Sequence, residues 1–308
     1  MKKYSNLIIV ILSFITLILI LLNKSLISKT IITSFGIWFN TLVPSMFPMF
    51  ILSDILISYN FTDYIPKRII SFVSKIFNIS NNAVLIIFLS MISGFPTNAI
   101  NIRNALDKGL ISKTEAEHLL LFNHFANPLF VLETVGIFYL NNNIYGVIIL
   151  ISHILANLFI GVIFRKRNHY SLNNYISKNS KCQNFGNVIS NSIKKTINSL
   201  LMVSGTVTLF LILSTLIINI FSLNDYISIL IQGILEMTMS LASLSMLNIS
   251  DIIKIVITTM IISFGGLSIH LQVFSSLDDK IKYRNYFIGR IYQMIISGIV
   301  SLLIMLII

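Results

Sequence analysis

Nine apolar runs divide the chain, at residues 7–22, 31–59, 83–100, 119–140, 144–164, 200–221, 227–247, 252–274 and 286–308. A helix of about 20 apolar residues is enough to cross a bilayer, so length alone permits nine crossings. Two of the runs are broken by polar islands that carry glycine or proline. The first is Ser93-Gly94-Phe95-Pro96-Thr97-Asn98-Ala99, and the second is Phe264-Gly265-Gly266-Leu267-Ser268-Ile269-His270-Leu271-Gln272. Non-helical backbone cannot face lipid, because each unpaired N–H or C=O there costs several kcal/mol; it persists only against protein or a water-filled cavity. Interruptions in corresponding places of two halves point to the binding site of a transporter.

Charge placement selects among topologies. If all nine runs cross with the N-terminus inside, the loop bearing Arg165, Lys166, Arg167, Lys178, Lys181, Lys194 and Lys195 lies outside. If they cross with the N-terminus outside, Lys2, Lys3, Lys67, Arg68, Lys75, Lys280, Lys282 and Arg284 lie outside. Making runs 83–100 and 227–247 re-entrant hairpins brings both groups inside, with Arg103, Lys108 and Lys113, and leaves only Lys24, Lys29 and Lys254 outside. Short-loop Lys and Arg favour the cytoplasmic side. The expected fold is therefore an all-α polytopic membrane protein, with about seven transmembrane helices and two re-entrant helical hairpins in an inverted repeat.

The expected divisions are an N-terminal helix and loop (1–30), a first repeat with its connecting helix (31–164), a basic cytoplasmic loop (165–195), a second, inverted repeat (196–275) and a C-terminal helix (276–308). Leu42-Val43-Pro44-Ser45 is weakly echoed by Leu201-Met202-Val203-Ser204. The N-terminal run has no small-x-small cleavage site and reads as a retained helix. Residues between Lys67 and Ser80 have an amphipathic pattern suited to the cytoplasmic interface.

Composition agrees: 55% of residues are hydrophobic and only 11% charged, against about 25% charged in soluble domains. The net charge of +11 orients the protein rather than binding nucleic acid. The single cysteine, Cys182, excludes an internal disulfide and a cysteine zinc cluster. No phosphate loop, metal-ligand motif or cofactor signature is visible, and no protease-like pairing of aspartates or of serine with histidine stands out. The chain reads as no enzyme, with no cofactor and no metal.

Candidate binding groups gather at the interruptions. Gly94 and Pro96 free backbone groups and allow a following half-helix to present its N-terminus, which suits an anion; Ser93, Thr97 and Asn98 add hydrogen-bonding side chains. Asn123 and Asn127, four apart, would share a helix face, with His124 beside them. Pro128 would free the His124 carbonyl for a cation or a substrate hydroxyl. In the second half Glu236, followed by Thr238 and Ser240, is an ionisable residue at membrane depth and marks a substrate, ion or proton path. His270 would pair with Glu236 and serve as a proton-coupling group. Gly265 and Gly266 would open the helix, with Ser268, His270 and Gln272 as pocket polars. Asp54, Glu133 and the pair His153 and Asn157, which share a face, are weaker candidates. Each cluster also has a plainer reading, as interhelical hydrogen bonding worth roughly 0.6 kcal/mol per bond.

Ser93-Gly94-Phe95-Pro96-Thr97-Asn98-Ala99, Lys108-Gly109-Leu110-Ile111-Ser112-Lys113-Thr114-Glu115-Ala116-Glu117, Asn127-Pro128-Leu129-Phe130, Glu236-Met237-Thr238 and the 264–272 motif resemble the nucleoside-recognition, or Gate-domain, membrane proteins, and among them the sporulation integral membrane proteins. The resemblance spans most of residues 31–275. It implies a role in endospore formation, with movement of dipicolinic acid across the outer forespore membrane. It also implies the paired hairpins of the similar concentrative nucleoside transporters. Phe95 and Asn98 depart from the family's Tyr and Gly.

The partners implied are a small organic anion, the lipid bilayer, H+ or Na+ as coupling ion, and other sporulation membrane proteins. Arg103 and Lys108 would draw the anion to the cytoplasmic mouth, and the polar groups named above would hold two carboxylates without a buried arginine. Rival readings are a nucleoside or other small-solute carrier, and a non-transporting scaffold that docks sporulation proteins through the 165–195 loop.

Overall fold

The apolar runs fold largely as helix, and each polar island contains a break, as do runs 119–140 and 227–247. The structure, a computed structural model, describes residues 2–165, 184–277 and 281–308, without the side chains of residues 2–5 and 62. Most of the basic loop, with Cys182, and Lys280 of the charge argument lie outside the described residues. All the described regular elements are helical.

Helix α1 (Lys2–Leu22) leads into α2 (Lys24–Ile37), a π-turn (Trp38–Leu42) and α3 (Val43–Ser58). The π-turn has a cause: the Val43 N–H bonds the Trp38 carbonyl five residues back, and Pro44 has no N–H with which to restore the usual register. Helix α4 (Lys67–Phe77) buries Ile70, Ser74 and Phe77 and exposes Ile69 and Phe72 beside Lys67 and Arg68. It meets α5 (Asn81–Ser93) at 97°. This two-faced helix has the amphipathic character expected of residues 67–80.

Helices α6 (Thr97–Asp107) and α7 (Lys113–Phe122) follow, then a π-helical segment (Phe130–Tyr139) and α8 (Asn143–Ile163). Starts carry sequence-legible caps: the Ser80 and Ser112 hydroxyls accept from the Ala83 and Glu115 N–H groups at 3.2 Å, each satisfying a donor the first helical turn leaves orphaned. The second part of the chain comprises α9 (Phe185–Phe221), α10 (Asp225–Leu235), α11 (Met237–Met246), α12 (Asp251–Phe264), α13 (Gly266–Leu277) and α14 (Tyr283–Ile307). At about 1.5 Å per residue α9 is roughly 55 Å long, well beyond a hydrocarbon core of about 30 Å.

One order of elements recurs. A long helix (α3), a broken pair (α5–α6), a broken helix (α7 and the π-segment) and a helix (α8) are matched by α9, α10–α11, α12–α13 and α14. The long helices are tied together. Trp38 Nε1 donates to the Leu200 carbonyl at 2.9 Å, and Ser34 meets Thr208 at 2.7 Å. Asp54 accepts from Lys195 at 2.8 Å and from Ser192 at 2.7 Å.

Among the described residues, five helical stretches are long and apolar enough to cross a membrane: Lys24–Ser58, Asn143–Ile163, Phe185–Phe221, Asp251–Leu277 and Tyr283–Ile307, with a sixth if the bent α4–α5 pair counts as one. The expected number was about seven. The shortfall lies at run 119–140, which is split by non-helical backbone at 123–127 into two short pieces, and at α1, where the described apolar stretch Asn6–Leu22 falls in the shorter class.

Candidate functional site

Four helix breaks meet in the interior, the first two and the last two through their backbones and the two pairs through the His124 side chain. Gly94 closes α5 at φ 74°, ψ −177°, a region that essentially only glycine occupies. A Cβ on Gly94 would lie 2.5 Å from the Asn127 nitrogen. Beside it the Phe95 N–H donates to the Phe125 carbonyl at 2.9 Å. The second break, 123–127, thus packs against the first. Gly265 (φ 88°) and Gly266 (φ 67°) form the third. A Cβ on Gly265 would meet His124 Nε2 at 3.3 Å, and one on Gly266 would meet the Met237 nitrogen at 3.1 Å. The fourth break, at Glu236 between α10 and α11, is thereby joined to the others.

Around this junction lies a closed cavity of about 10 Å³, lined by Leu42, Met46, Phe95, Pro96, Val203, Val207, Glu236, Met237, Thr238, Ser268, Ile269 and Gln272. That is room for about one water molecule. Both halves contribute: Leu42 and Val203, from the two echoed tetrapeptides, face it together. Three half-helices begin at its wall, α6 just after Pro96, α11 at Met237 and α13 shortly before Ser268. Helix N-termini carry unpaired N–H groups and about half a positive charge each. The Ser268 hydroxyl is fully buried and has no partner. A larger cavity of about 830 Å³, between α4, α5, α8 and α14, is lined only by apolar side chains such as Phe72, Phe88, Phe159 and Ile299; it has no group for chemistry.

The expected residues fall into three sets. Pro96, Glu236, Thr238, Ser268 and Gln272 line the cavity, with Gly265 and Gly266 at its edge. Ser93, Asn98, Asn123 and Asn127 are buried beside it but are engaged with the protein. Ser93 donates to the Leu89 carbonyl at 3.0 Å, Asn98 to the Asn123 carbonyl at 2.9 Å, and Asn123 to the Ser90 hydroxyl at 2.8 Å. Thr97 opens α6. Gln272, for its part, donates to the Thr206 hydroxyl at 2.6 Å.

Several expectations are corrected. Asn123 and Asn127 do not share a helix face, because residues 123–127 are not helical. Asn127 instead caps the next helix, its Oδ1 accepting from the Leu129 and Phe130 N–H groups at 2.9 and 3.2 Å. Asn followed by Pro is a cap and first-turn signature. The His124 carbonyl is free of helical bonding, as Pro128 suggested, but protein donors take it: Asn157 Nδ2 at 2.6 Å and Gln293 Nε2 at 3.3 Å, while His153 Nε2 accepts from the Ala126 N–H at 2.9 Å. His270 does not pair with Glu236. It meets the Tyr283 hydroxyl at 2.5 Å and the Phe264 carbonyl at 3.0 Å. Glu236 caps α11, accepting from the Thr238 and Met239 N–H groups at 3.0 and 2.9 Å and from the Thr238 hydroxyl. Arg103 is bound to Asp107 at 2.7 Å and to the Leu277 carbonyl at 2.8 Å, so it is no free lure for anions. Of the weaker candidates, Glu133 is exposed and His153 Nδ1 lies 2.9 Å from Ser263.

The interior also holds an arginine the sequence analysis passed over. Arg290 of α14 has 0% exposure, although it does not line the cavity. Its neighbours Tyr286 and Gln293 were passed over as well. The Tyr286 hydroxyl lies 3.1 Å from His124 Nδ1, and the His124 ring stacks on Phe95 at 4.7 Å between centroids. The available signal was one charge and one amide inside the last apolar run.

The fold and site define an all-helical, polytopic membrane protein with interlocked broken helices around a buried polar cavity. The chain is similar to the sporulation integral membrane protein YlbJ of Bacillus subtilis, with 24% identity over 309 aligned residues that take in 88% of this chain and 76% of the relative. That likeness is consistent with a membrane role in sporulation. No protein-family profile matches the chain, and no solved structure matches it.

Proposed function

We propose that the protein is a transporter, not an enzyme, that carries a small organic anion, and that the anion is dipicolinic acid crossing the outer forespore membrane during endospore formation. The observation that carries this reading is one buried cavity lined by residues at three helix breaks and from both halves, with the fourth break, 123–127, packed against them. Broken helices at the interface of two repeats are where secondary transporters bind substrate. Two helix N-termini at the cavity wall, those of α6 and α13, favour negative charge, whereas that of α11 is already capped by Glu236. Under this reading, α5–α6 and α10–α11 are re-entrant hairpins and the recurring order of elements is an inverted repeat. The similarity to a sporulation integral membrane protein supports the cellular setting.

A cavity of about 10 Å³ is far too small for a pyridine dicarboxylate. The structure therefore corresponds to a closed state, and loading requires the hairpins to part. Glu236 faces the same cavity and, when ionised, would repel the anion. A carboxyl that must bind H+ or a cation before the anion is admitted would couple the two movements. Uptake of labelled dipicolinate into proteoliposomes, with uridine as competitor, tests the proposal. Saturable uptake that uridine leaves untouched, and that is lost in Ser268→Val with Gln272→Leu, is expected. Uptake of uridine in place of dipicolinate, or of neither, refutes it.

A further inference from the structure

Arg290 is fully buried and has no acidic partner. The ion pairs among the described residues are Arg103 with Asp107 and Lys195 with Asp54. The buried carboxylates are engaged elsewhere, Glu115 with the Ser80 N–H at 2.6 Å and Glu236 with its own helix start. One guanidinium nitrogen, Nη2, donates to the Leu121 carbonyl at 3.0 Å. The other two, Nε and Nη1, have no partner. The Tyr286 ring lies 5.2 Å from the guanidinium carbon, and this contact with the carbonyl near the end of α7 offsets part of the charge. A buried charge without a counter-charge is strongly unfavourable, so a helix that keeps one inside a membrane protein points to function.

The surroundings are those of an incomplete site. His124 Nε2, Asn157 Oδ1 and Gln293 Oε1 are also buried without partners. His124 connects the two regions: its Nδ1 meets Tyr286, its ring stacks on Phe95 of the cavity wall, and its Nε2 faces Gly265. The guanidinium reaches the break because α14 crosses it at Gly289, where a Cβ would lie 2.0 Å from the Leu121 carbonyl oxygen. The approach is therefore built into the helix crossing.

We propose that Arg290 is the carboxylate-binding residue of the transport path, its two free N–H nitrogens receiving a carboxylate of the substrate beyond the His124–Phe95 stack. This rests on the anion-transport reading and adds to it the fixed positive charge the cavity lacks. Arginine suits the task because its fork matches a carboxylate and stays charged when desolvated.

The test has two separate readouts on the full-length protein in lipid. The first is the thermal midpoint with dipicolinate, succinate or acetate, with the neutral pyridine-2,6-dicarboxamide, and with chloride. The second is proteoliposome uptake of dipicolinate. For the wild type, a carboxylate is expected to raise the midpoint and the dicarboxamide is not. Arg290→Gln is expected to lose at least about tenfold in apparent affinity, and Arg290→Lys to lose less. A purely structural arginine would lower the midpoint of the variants while leaving the carboxylate response intact, and that result overturns the assignment. So does a wild type that no carboxylate stabilises, or one that chloride and the dicarboxamide stabilise equally; this wild-type comparison stands even if a variant fails to fold. Carboxylate stabilisation lost in Arg290→Gln, with no uptake by the wild type, keeps the assignment and overturns the transport reading. Uptake with unchanged affinity in Arg290→Gln does the reverse.

Discussion

Replacing Gly94 with alanine tests whether the breaks are held by backbone contact. At φ 74°, ψ −177° any side chain is strained, at about 1–3 kcal/mol. The new Cβ would also lie 2.5, 2.7 and 2.9 Å from the nitrogen, Cα and Cβ of Asn127. Two of those atoms are backbone and cannot rotate away, and overpacking of that kind costs roughly 1–3 kcal/mol. Together these give a loss of about 2–6 kcal/mol. At roughly 2–4 °C per kcal/mol the thermal midpoint falls by about 4–24 °C. Two internal controls calibrate the measurement, which is fluorescence-detected thermal unfolding of the purified protein in one lipid mixture. Gly109 has φ 67° but nothing within 4 Å, so Gly109→Ala carries only the backbone cost of about 1–3 kcal/mol. Gly205, inside α9, also has nothing within 4 Å, and Gly205→Ala should stabilise by about 0.5–1 kcal/mol. If Gly94→Ala melts no lower than Gly109→Ala, the first two breaks are not packed backbone to backbone and the interlocked junction is wrong.

Other outcomes follow from the same geometry. Gly289→Ala forces α14 away from Leu121, whose oxygen would lie 2.0 Å from the new Cβ; a loss of at least about 1–3 kcal/mol is expected by the same thermal assay. Glu236→Gln keeps one acceptor for the α11 start but loses the charge, so a modest loss of about 1 kcal/mol is expected. Its uptake should no longer depend on pH, and uptake that follows pH as the wild type does removes Glu236 from coupling. Burial raises the Glu115 carboxyl above its ordinary 4.5, against the opposing hydrogen bonds from Ser80 and Ser112. The folded protein then holds that proton more tightly than the unfolded chain. This contribution to stability is full below pH 4.5 and declines as pH rises towards the folded value. Glu115→Gln should flatten that decline in thermal midpoints measured across the acidic range.

The breaks were legible because their causes are local. Gly94 and the Gly265-Gly266 pair adopt backbone angles that other residues rarely take, and Glu236 is a charge in an apolar run. What the site residues bond to was less legible. Asn123 and Asn127 have helical spacing, and one sequence cannot distinguish a shared face from the end of one helix and the cap of the next; Asn127-Pro128 was the cue for the second. The His270–Glu236 pairing failed because each residue found a nearer partner, in Tyr283 and in the α11 N–H groups. Arg290 was visible as a lone charge, but its meeting with Leu121 and Tyr286 joins α14 to a break far away in sequence. Such packing is tertiary and leaves no periodicity to read.

The contacts among the four breaks form a chain: Gly94 on Asn127, His124 on Gly265, Gly266 on Met237. Adding even a Cβ at Gly94, Gly265 or Gly266 would crowd the neighbouring break, so these segments pack closely. Under the transport reading the glycines act less as independent hinges than as meshed teeth, and a displacement begun at one hairpin would pass to the other. On that reading the gearing gives a mechanical reason not to open on both sides at once, since the contact that releases one half-helix would be the contact that holds the next.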